Sequence, residues 1–306
     1  MAELRLREFR FSDLASVLHI AQASFPEELA LWGISRTRAR ALFCLYELLR
    51  IVQKFRGRPF FKFYIAEQGT TVVAGAMVEW RERYAYVQAV MVHPEFRGRG
   101  IGRALVSFVV DQAFRFGAER VVLHVHQSNA PARRLYEGLG FRPFEERLIL
   151  VWEEKVVRPG EDWPTGSCLL RVSSGDRRRW AVIAACQDPG TIQIYGPPKP
   201  SGRLEHFLQN LLSSEKSWLL LDPQDRAVAE LSVRLGNPVR LDVHVLPDQR
   251  GKGWEKALLS WALTQYKDRR FILRTNAANL ALVRAALELG FRQKAQEIGM
   301  VLEKRA

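Results

Sequence analysis

Two stretches of this 306-residue chain run in step, 153 positions apart. Pro94-Glu-Phe-Arg97-Gly98-Arg99-Gly100-Ile101-Gly102-Arg103-Ala-Leu105 is answered by Pro247-Asp-Gln-Arg250-Gly251-Lys252-Gly253-Trp254-Glu255-Lys256-Ala-Leu258. Each follows an apolar run closed by proline, which cannot donate to a sheet ladder, and each leads into apolar residues at helical spacing. Both therefore predict strand, glycine-rich turn, helix. A second pair, Asn129 to Phe141 and Asn279 to Phe291, recurs at an offset of 150. A chain whose second half repeats its first is confined to two copies of one fold.

The first turn has the chemistry of an anion site. The leading amides of a helix have no intrahelical partner, and the macrodipole adds positive potential there. Gly98, Gly100 and Gly102 let the backbone approach a phosphate, and Arg97, Arg99 and Arg103 add charge. The spacing is neither the Gly-x-Gly-x-x-Gly of a dinucleotide turn nor the Gly-Lys-Ser/Thr of a Walker loop. The helix stripe is Ile101, Ala104, Leu105, Phe108 and Val109.

Around it the periodicity predicts a strand at Leu4–Arg10 and a helix capped by Ser12 or Asp13 running to Ser24. A second helix is expected over Arg36–Phe55, with Arg36, Arg38, Arg40, Arg50 and Lys54 around it. Strands at Phe61–Glu67, Thr71–Glu82 and Tyr84–Val92 read as an antiparallel meander, followed by a buried strand at Arg120–His126. Asn129 caps a helix with Pro131 in its first turn, and Gly140 ends it. A strand at Glu145–Trp152 closes the first repeat, and Pro159-Gly160 and Pro164 mark a linker. The second repeat predicts strands at Leu169–Val172, Trp218–Leu221, Ala227–Arg234, Val239–Leu246 and Phe271–Arg274, with helices at Asp176–Gln187 and Arg203–Leu212.

Arg97, Gly100 and Gly102 resemble the acetyl-CoA signature Arg/Gln-x-x-Gly-x-Gly/Ala of the GCN5-related N-acetyltransferases (GNAT). Asn129, Ala132, Leu135, Tyr136, Glu137, Gly140 and Phe141 resemble that superfamily's second signature. The resemblance implies an α/β (α+β) architecture of two tandem GNAT folds, each a mixed, mostly antiparallel sheet flanked by helices. The expected division is a catalytic domain at 1–155, a linker at 156–166 and a degenerate GNAT-like domain at 167–306. The second copy departs where Glu255 replaces Gly102 and Ala286 replaces Tyr136. A carboxylate there would repel a pyrophosphate, and alanine has no proton to give.

For the first copy the resemblance implies an acetyl-CoA-dependent acyltransferase acting on an amine, with acetyl-CoA as cosubstrate and no metal. The sheet should splay beyond Val92 and admit the pantetheine arm. The cofactor residues are then Met91, Val92, Arg97, Gly98, Arg99, Gly100, Ile101, Gly102, Arg103, Asn129 and Tyr136, with Tyr136 also the general acid. The base stays open. His124 occupies a position where a related branch of the superfamily carries glutamate, and an imidazole with an ordinary pKa of about 6.5 suits proton abstraction near neutrality. His126, Glu79 and Glu82 compete with it, and His93 belongs to the strand end.

Composition narrows the partners. The net charge of +13 is shared, 22 basic and 16 acidic residues standing in positions 1–153, so it reads as a diffuse background rather than a nucleic-acid surface. No apolar run reaches the ~18 residues of a membrane span. Cys44, Cys168 and Cys186 show no metal spacing and fit a reducing, cytoplasmic setting. A monomer or homodimer is expected, with an unidentified amine as acceptor. Two other classes remain open: a CoA-binding regulatory protein without turnover, and a basic RNA- or ribosome-associated module.

Overall fold

The computed structural model describes residues 3–26, 59–153, 163, 165–199 and 215–304. The helices expected over Arg36–Phe55 and Arg203–Leu212, most of the linker, and Cys44 lie outside these residues. The described chain falls into two compact units, Met1–Phe144 with Ile298–Ala306, and Glu145–Glu297.

In unit 1, β1 (Leu4–Glu8), β2 (Phe61–Gln68), β3 (Thr71–Trp80) and β4 (Tyr84–Val92) form the antiparallel meander. β5 (Arg120–His126) joins β4 in parallel, and the crossover that this direction requires is α2 (Ile101–Arg115). One sheet face is covered by α2. Ile101, Leu105, Val106, Val109, Val110 and Ala113 pack on Val73, Ala74, Ala76, Val78, Val121, Leu123 and Val125. The other face takes α1 (Leu14–Ser24), whose Leu14, Val17 and Ile20 meet Phe63, Ile65 and Met91. After β5 comes α3 (Ala130–Glu137), capped by the Asn129 side chain.

Unit 2 repeats this order. β7 (Cys168–Val172), β8 (Glu215–Leu221), β9 (Ala227–Arg234) and β10 (Val239–Val245) are antiparallel, and β11 (Phe271–Asn276) is parallel to β10. Its helices are α4 (Arg177–Cys186), α5 (Pro189–Tyr195), α6 (Trp254–Gln265) and α7 (Leu280–Glu288). The helix α5 was not legible in advance. It starts because Asp188 caps Thr191 and Pro189 sits where no amide is needed. The mixed, mostly antiparallel sheet flanked by helices is the architecture that the resemblance implied.

The sequence boundaries and the units do not coincide, because the closing strands are exchanged. β6 (Arg142–Trp152) ends the first repeat in sequence, yet it pairs antiparallel with β11, from Trp152 opposite Phe271 to Arg147 opposite Asn276. Leu148, Leu150 and Trp152 enter the core of unit 2, and Trp152 Nε1 donates to the Leu289 carbonyl at 3.1 Å. Reciprocally, β12 (Arg292–Glu303) lies beside β5, placing Ile298 and Met300 in the core of unit 1. Contiguous domains at 1–155 and 167–306 thus describe the repeat but not the packed units. Alternating apolar residues specify that a strand forms and which face it buries, not which of two equivalent edges it joins.

At the start of unit 1, Asp13 holds the N-cap position of α1, but its side chain bonds none of that helix's amides. Its carboxylate accepts from the Arg10 amide at 2.7 Å and from Arg7 Nη1 and Nη2 at 2.8 and 2.9 Å, while Arg7 Nε donates to Glu67 at 2.7 Å. Burial pushes the Asp13 carboxyl up, but the Arg7 guanidinium and the Arg10 amide outweigh it and hold it below its usual value. Glu67 is held low chiefly by its bond to Arg7.

Carboxylates depressed in the folded state stabilise it above their unfolded pKa, about 4, and lose that contribution as pH falls through the folded values. Arg7→Met should therefore lower stability at pH 7 by about 3 kcal/mol and flatten the loss between pH 5 and 2, as read by denaturant titration. The strand exchange predicts that Met300→Ala, at a cost of about 3 kcal/mol, speeds amide hydrogen exchange in β5 of the other repeat. Acceleration confined to β11 would contradict it.

Candidate active site

Pairing between β4 and β5 begins at Tyr84 beside Arg120 and stops at Val87 beside Leu123, although both strands continue, to Val92 and His126. The cause is a bulge. Against β3 the register passes from Val78 opposite Val87 to Met77 opposite Ala89, leaving Gln88 as the extra residue. Consequently Val87 and Val90 both pack on the α2 side, and Met91 turns to the α1 side. A bulge bends its strand, and here the bend coincides with the last β4–β5 rung. The splay expected from the resemblance is thus present, and Gln88 is where it begins.

The turn follows directly. A short 3-10 segment, Pro94–Phe96, leads to Gly98 at φ +75° and Gly100 at φ +76°, the latter the N-cap of α2. Left-handed backbone at both positions requires glycine, and a Cβ at either would meet no atom within 4 Å. The cradle is open above its amides, as an anion site needs. Gly102 answers a different constraint. A Cβ there would lie 3.2 Å from Leu135 Cδ1 and 3.5 Å from Val92 Cγ2, so glycine lets α2 approach α3.

The three arginines are committed to protein partners. Arg97 Nε donates to the Val92 carbonyl at 3.1 Å and its Nη2 reaches Ser24 Oγ at 3.4 Å. Arg99 lies 5.2 Å from the Phe96 ring centroid, and Arg103 Nη2 donates to the Gly138 carbonyl at 2.7 Å. They add field rather than direct bonds within the turn, whose own donors are backbone amides.

Tyr136 is 8% exposed, edge-on to Phe141 at 5.8 Å, and forms no hydrogen bond through its hydroxyl among the described residues. Burial pushes its pKa up to about 12, so the phenol keeps its proton across the physiological range. Asn129 Oδ1 accepts from the Ala132 amide at 3.2 Å and sets the start of that helix.

Glu79, Tyr86, Gln88, His124 and His126 share the sheet face away from α2. Glu79 stands opposite Tyr86 across the ladder, and Tyr86 lies beside Val122, two residues before His124. The Tyr86 hydroxyl and His124 Nδ1 are 2.9 Å apart. The Glu79 carboxylate is paired with Arg81 and accepts from Gln88 Nε2. His93 stacks on His19 at 5.6 Å and meets Phe96 edge-on at 5.8 Å. Tyr86 was missed in the sequence because an inward tyrosine on a strand is commonplace. The broken alternation from Val87 to Val90 was the available sign of the bulge.

In unit 2 the same turn recurs with different contents. Gly251 (φ +74°) and Gly253 (φ +92°) copy the first two glycines, and Arg250 Nε donates to Val245 O at 3.2 Å as Arg97 does to Val92. Glu255, 2% exposed, turns its carboxylate back on the loop, with Oε1 and Oε2 at 3.2 and 3.3 Å from the Gly251 amide. The cradle holds its own anion. β10 and β11 also part after Leu241 beside Leu273, but the register puts Arg240 at the place of Tyr86, Arg234 at that of Glu79 and Arg274 at that of His124.

Residues 15–141 match the model of the "Acetyltransferase (GNAT) family". The match lies within the N-terminal copy and covers less than half of the chain. Over 134 residues it is 28% identical to the L-methionine sulfoximine/L-methionine sulfone acetyltransferase of Salmonella typhimurium, spanning 42% of this chain and 75% of that protein. The fold is shared over nearly the whole length with a GCN5-related N-acetyltransferase from Sphaerobacter thermophilus (TM-score 0.68, 20% identity, 99% of this chain and 96% of that one). It is likewise shared with a tandem GNAT protein from the clavulanic acid biosynthesis pathway (TM-score 0.66, 15% identity, 99% and 100%). Among the described residues no three His, Cys, Asp or Glu are grouped to hold a metal, and no helix is long and apolar enough to cross a membrane.

Proposed function

We propose that unit 1 transfers the acetyl group of acetyl-CoA to a primary amine of a small molecule or peptide within a ternary complex, and that unit 2 binds no acyl-CoA. The observation that carries this reading is the open glycine cradle at the mouth of parted strands, with a buried, protonated tyrosine on the helix packed beside it. The amides from Gly98 to Gly102, that of Ile101 among them, hold the pyrophosphate within the field of the nearby arginines. The backbone of Met91 and Val92 lines the pantetheine, and Asn129 orients the start of α3.

In the reaction the amine nitrogen bonds to the thioester carbonyl carbon, the carbon–sulfur bond breaks, and Tyr136 gives its proton to the departing thiolate. His124 takes the amine proton. It is preferred to Glu79 because that carboxylate is already engaged by Arg81 and Gln88. The Salmonella relative, named for amino-acid derivatives, makes amino-acid-like amines the first acceptors to test.

A free-thiol release assay across a panel of amines tests turnover, and no thiol release with any amine would sink the reading. Tyr136→Phe should lower kcat by about 10²-fold while leaving acetyl-CoA affinity nearly unchanged. Calorimetric titration of the intact chain with acetyl-CoA should give one site. Gly102→Glu copies the second turn into the first, adds a carboxylate to the anion's place and crowds Leu135, so it should abolish that site. Two equivalent sites in the unaltered chain would overturn the assignment of unit 2.

A further inference from the structure

His124 stands at the first position beyond the last rung between β4 and β5. β4 no longer pairs with β5 there, although β12 continues beside it, and the imidazole is set by its side-chain contacts. Tyr86 and Phe144 are among them. The Tyr86 ring is 5.6 Å away with its hydroxyl 2.9 Å from Nδ1, and Phe144 stands edge-on at 6.4 Å. Tyr86 reaches Nδ1 because it lies beside Val122 in the parallel ladder, one step back on the same face. Among the described residues the charged and titratable groups on this face include Glu79 with its partner Arg81, Arg120 and His126 on β5 itself, and Glu303 of the neighbouring β12, 3.5 Å from Arg120 Nε.

We infer that Tyr86 is the positioning residue for His124: its hydroxyl oxygen accepts the Nδ1 hydrogen and so places the neutral imidazole's lone pair on Nε2, the nitrogen that receives the acceptor's proton. This rests on the assignment of His124 as the base. A neutral imidazole carries one N–H, and the bond made by one nitrogen decides which nitrogen is basic. On proton transfer the amine N–H bond breaks and an Nε2–H bond forms. The Nδ1–H···O bond to Tyr86 persists and favours the imidazolium, and the tyrosine hydroxyl is not consumed. The ring need not turn between the two states.

The test combines nitrogen-15 NMR of histidine-labelled protein, without substrates, with the pH profile of kcat/KM. Neutral His124 should show the Nδ1–H tautomer. Tyr86→Phe, which removes one oxygen and keeps the ring, should shift the population toward Nε2–H. It should also lower the His124 pKa and the acidic limb of the profile together, by about 0.5–1 unit. A wild-type Nε2–H tautomer overturns the inference. So does a Tyr86→Phe variant that is slower at every pH with its acidic limb unmoved. The spectra read the tautomer whether or not any amine is acetylated, so failure of the transferase reading is separately visible.

Discussion

Backbone pairing between β4 and β5 ends at one rung, Val87 beside Leu123, and the candidate chemistry of unit 1 is arranged around that ending. A parallel pair normally continues as long as both strands do, because each unmade backbone bond in a buried sheet is costly. Here the bulged Gln88 bends β4 away, and the glycine turn closes its far end. Both sides of the opening are then lined from secondary structure. The turn and its helix start flank one side, His124 and Tyr86 project from the sheet face, and Tyr136 is fixed by its packing on Phe141.

Unit 2 shows that this geometry alone is not the chemistry. Its parallel pair also stops early, and its turn has the same left-handed glycines. Yet the loop amide is answered by Glu255, a charge-assisted bond of the kind worth about 1.5–3 kcal/mol, and arginines replace the tyrosine and histidine. The face behind them is an internal ion network. Arg179 bonds the fully buried Glu230 at 2.7 Å, and His244 Nδ1 lies 3.0 Å from the same carboxylate. Burial pushes Glu230 up, but His244 and Arg179 outweigh it and hold it below its usual value. Burial pushes His244 down, and Glu230 in turn raises it above its own. Removing one member would strand a buried charge, so the network holds together as a unit.

The exchange of β6 and β12 gives each unit the closing strand of the other repeat. Leu148, Leu150 and Trp152 in one core, and Ile298 and Met300 in the other, make neither repeat complete within its own stretch of sequence. The stability of the N-terminal site therefore depends on the last residues of the chain.

Much of this was local and so legible from sequence. Hydrophobic periodicity located most of the described strands and helices, though neither α5 nor β12. Asn129 and Gly140 marked a helix's two ends, and glycines at 98 and 100 announced a turn that only they can make. The duplication and the replacement of Gly102 by Glu255 were plain from alignment of the halves. What needed the tertiary structure was every choice between equivalent partners. Periodicity could not say which sheet β6 would join, that Arg97, Arg99 and Arg103 would turn to protein partners, or that the Asp13 side chain would bind Arg7 and the Arg10 amide rather than the amides of α1. Nor could it join Tyr86 to His124, 38 residues apart, because that contact follows from the register of two parallel strands. Register is decided by how two cores pack, and no single stretch of sequence contains it.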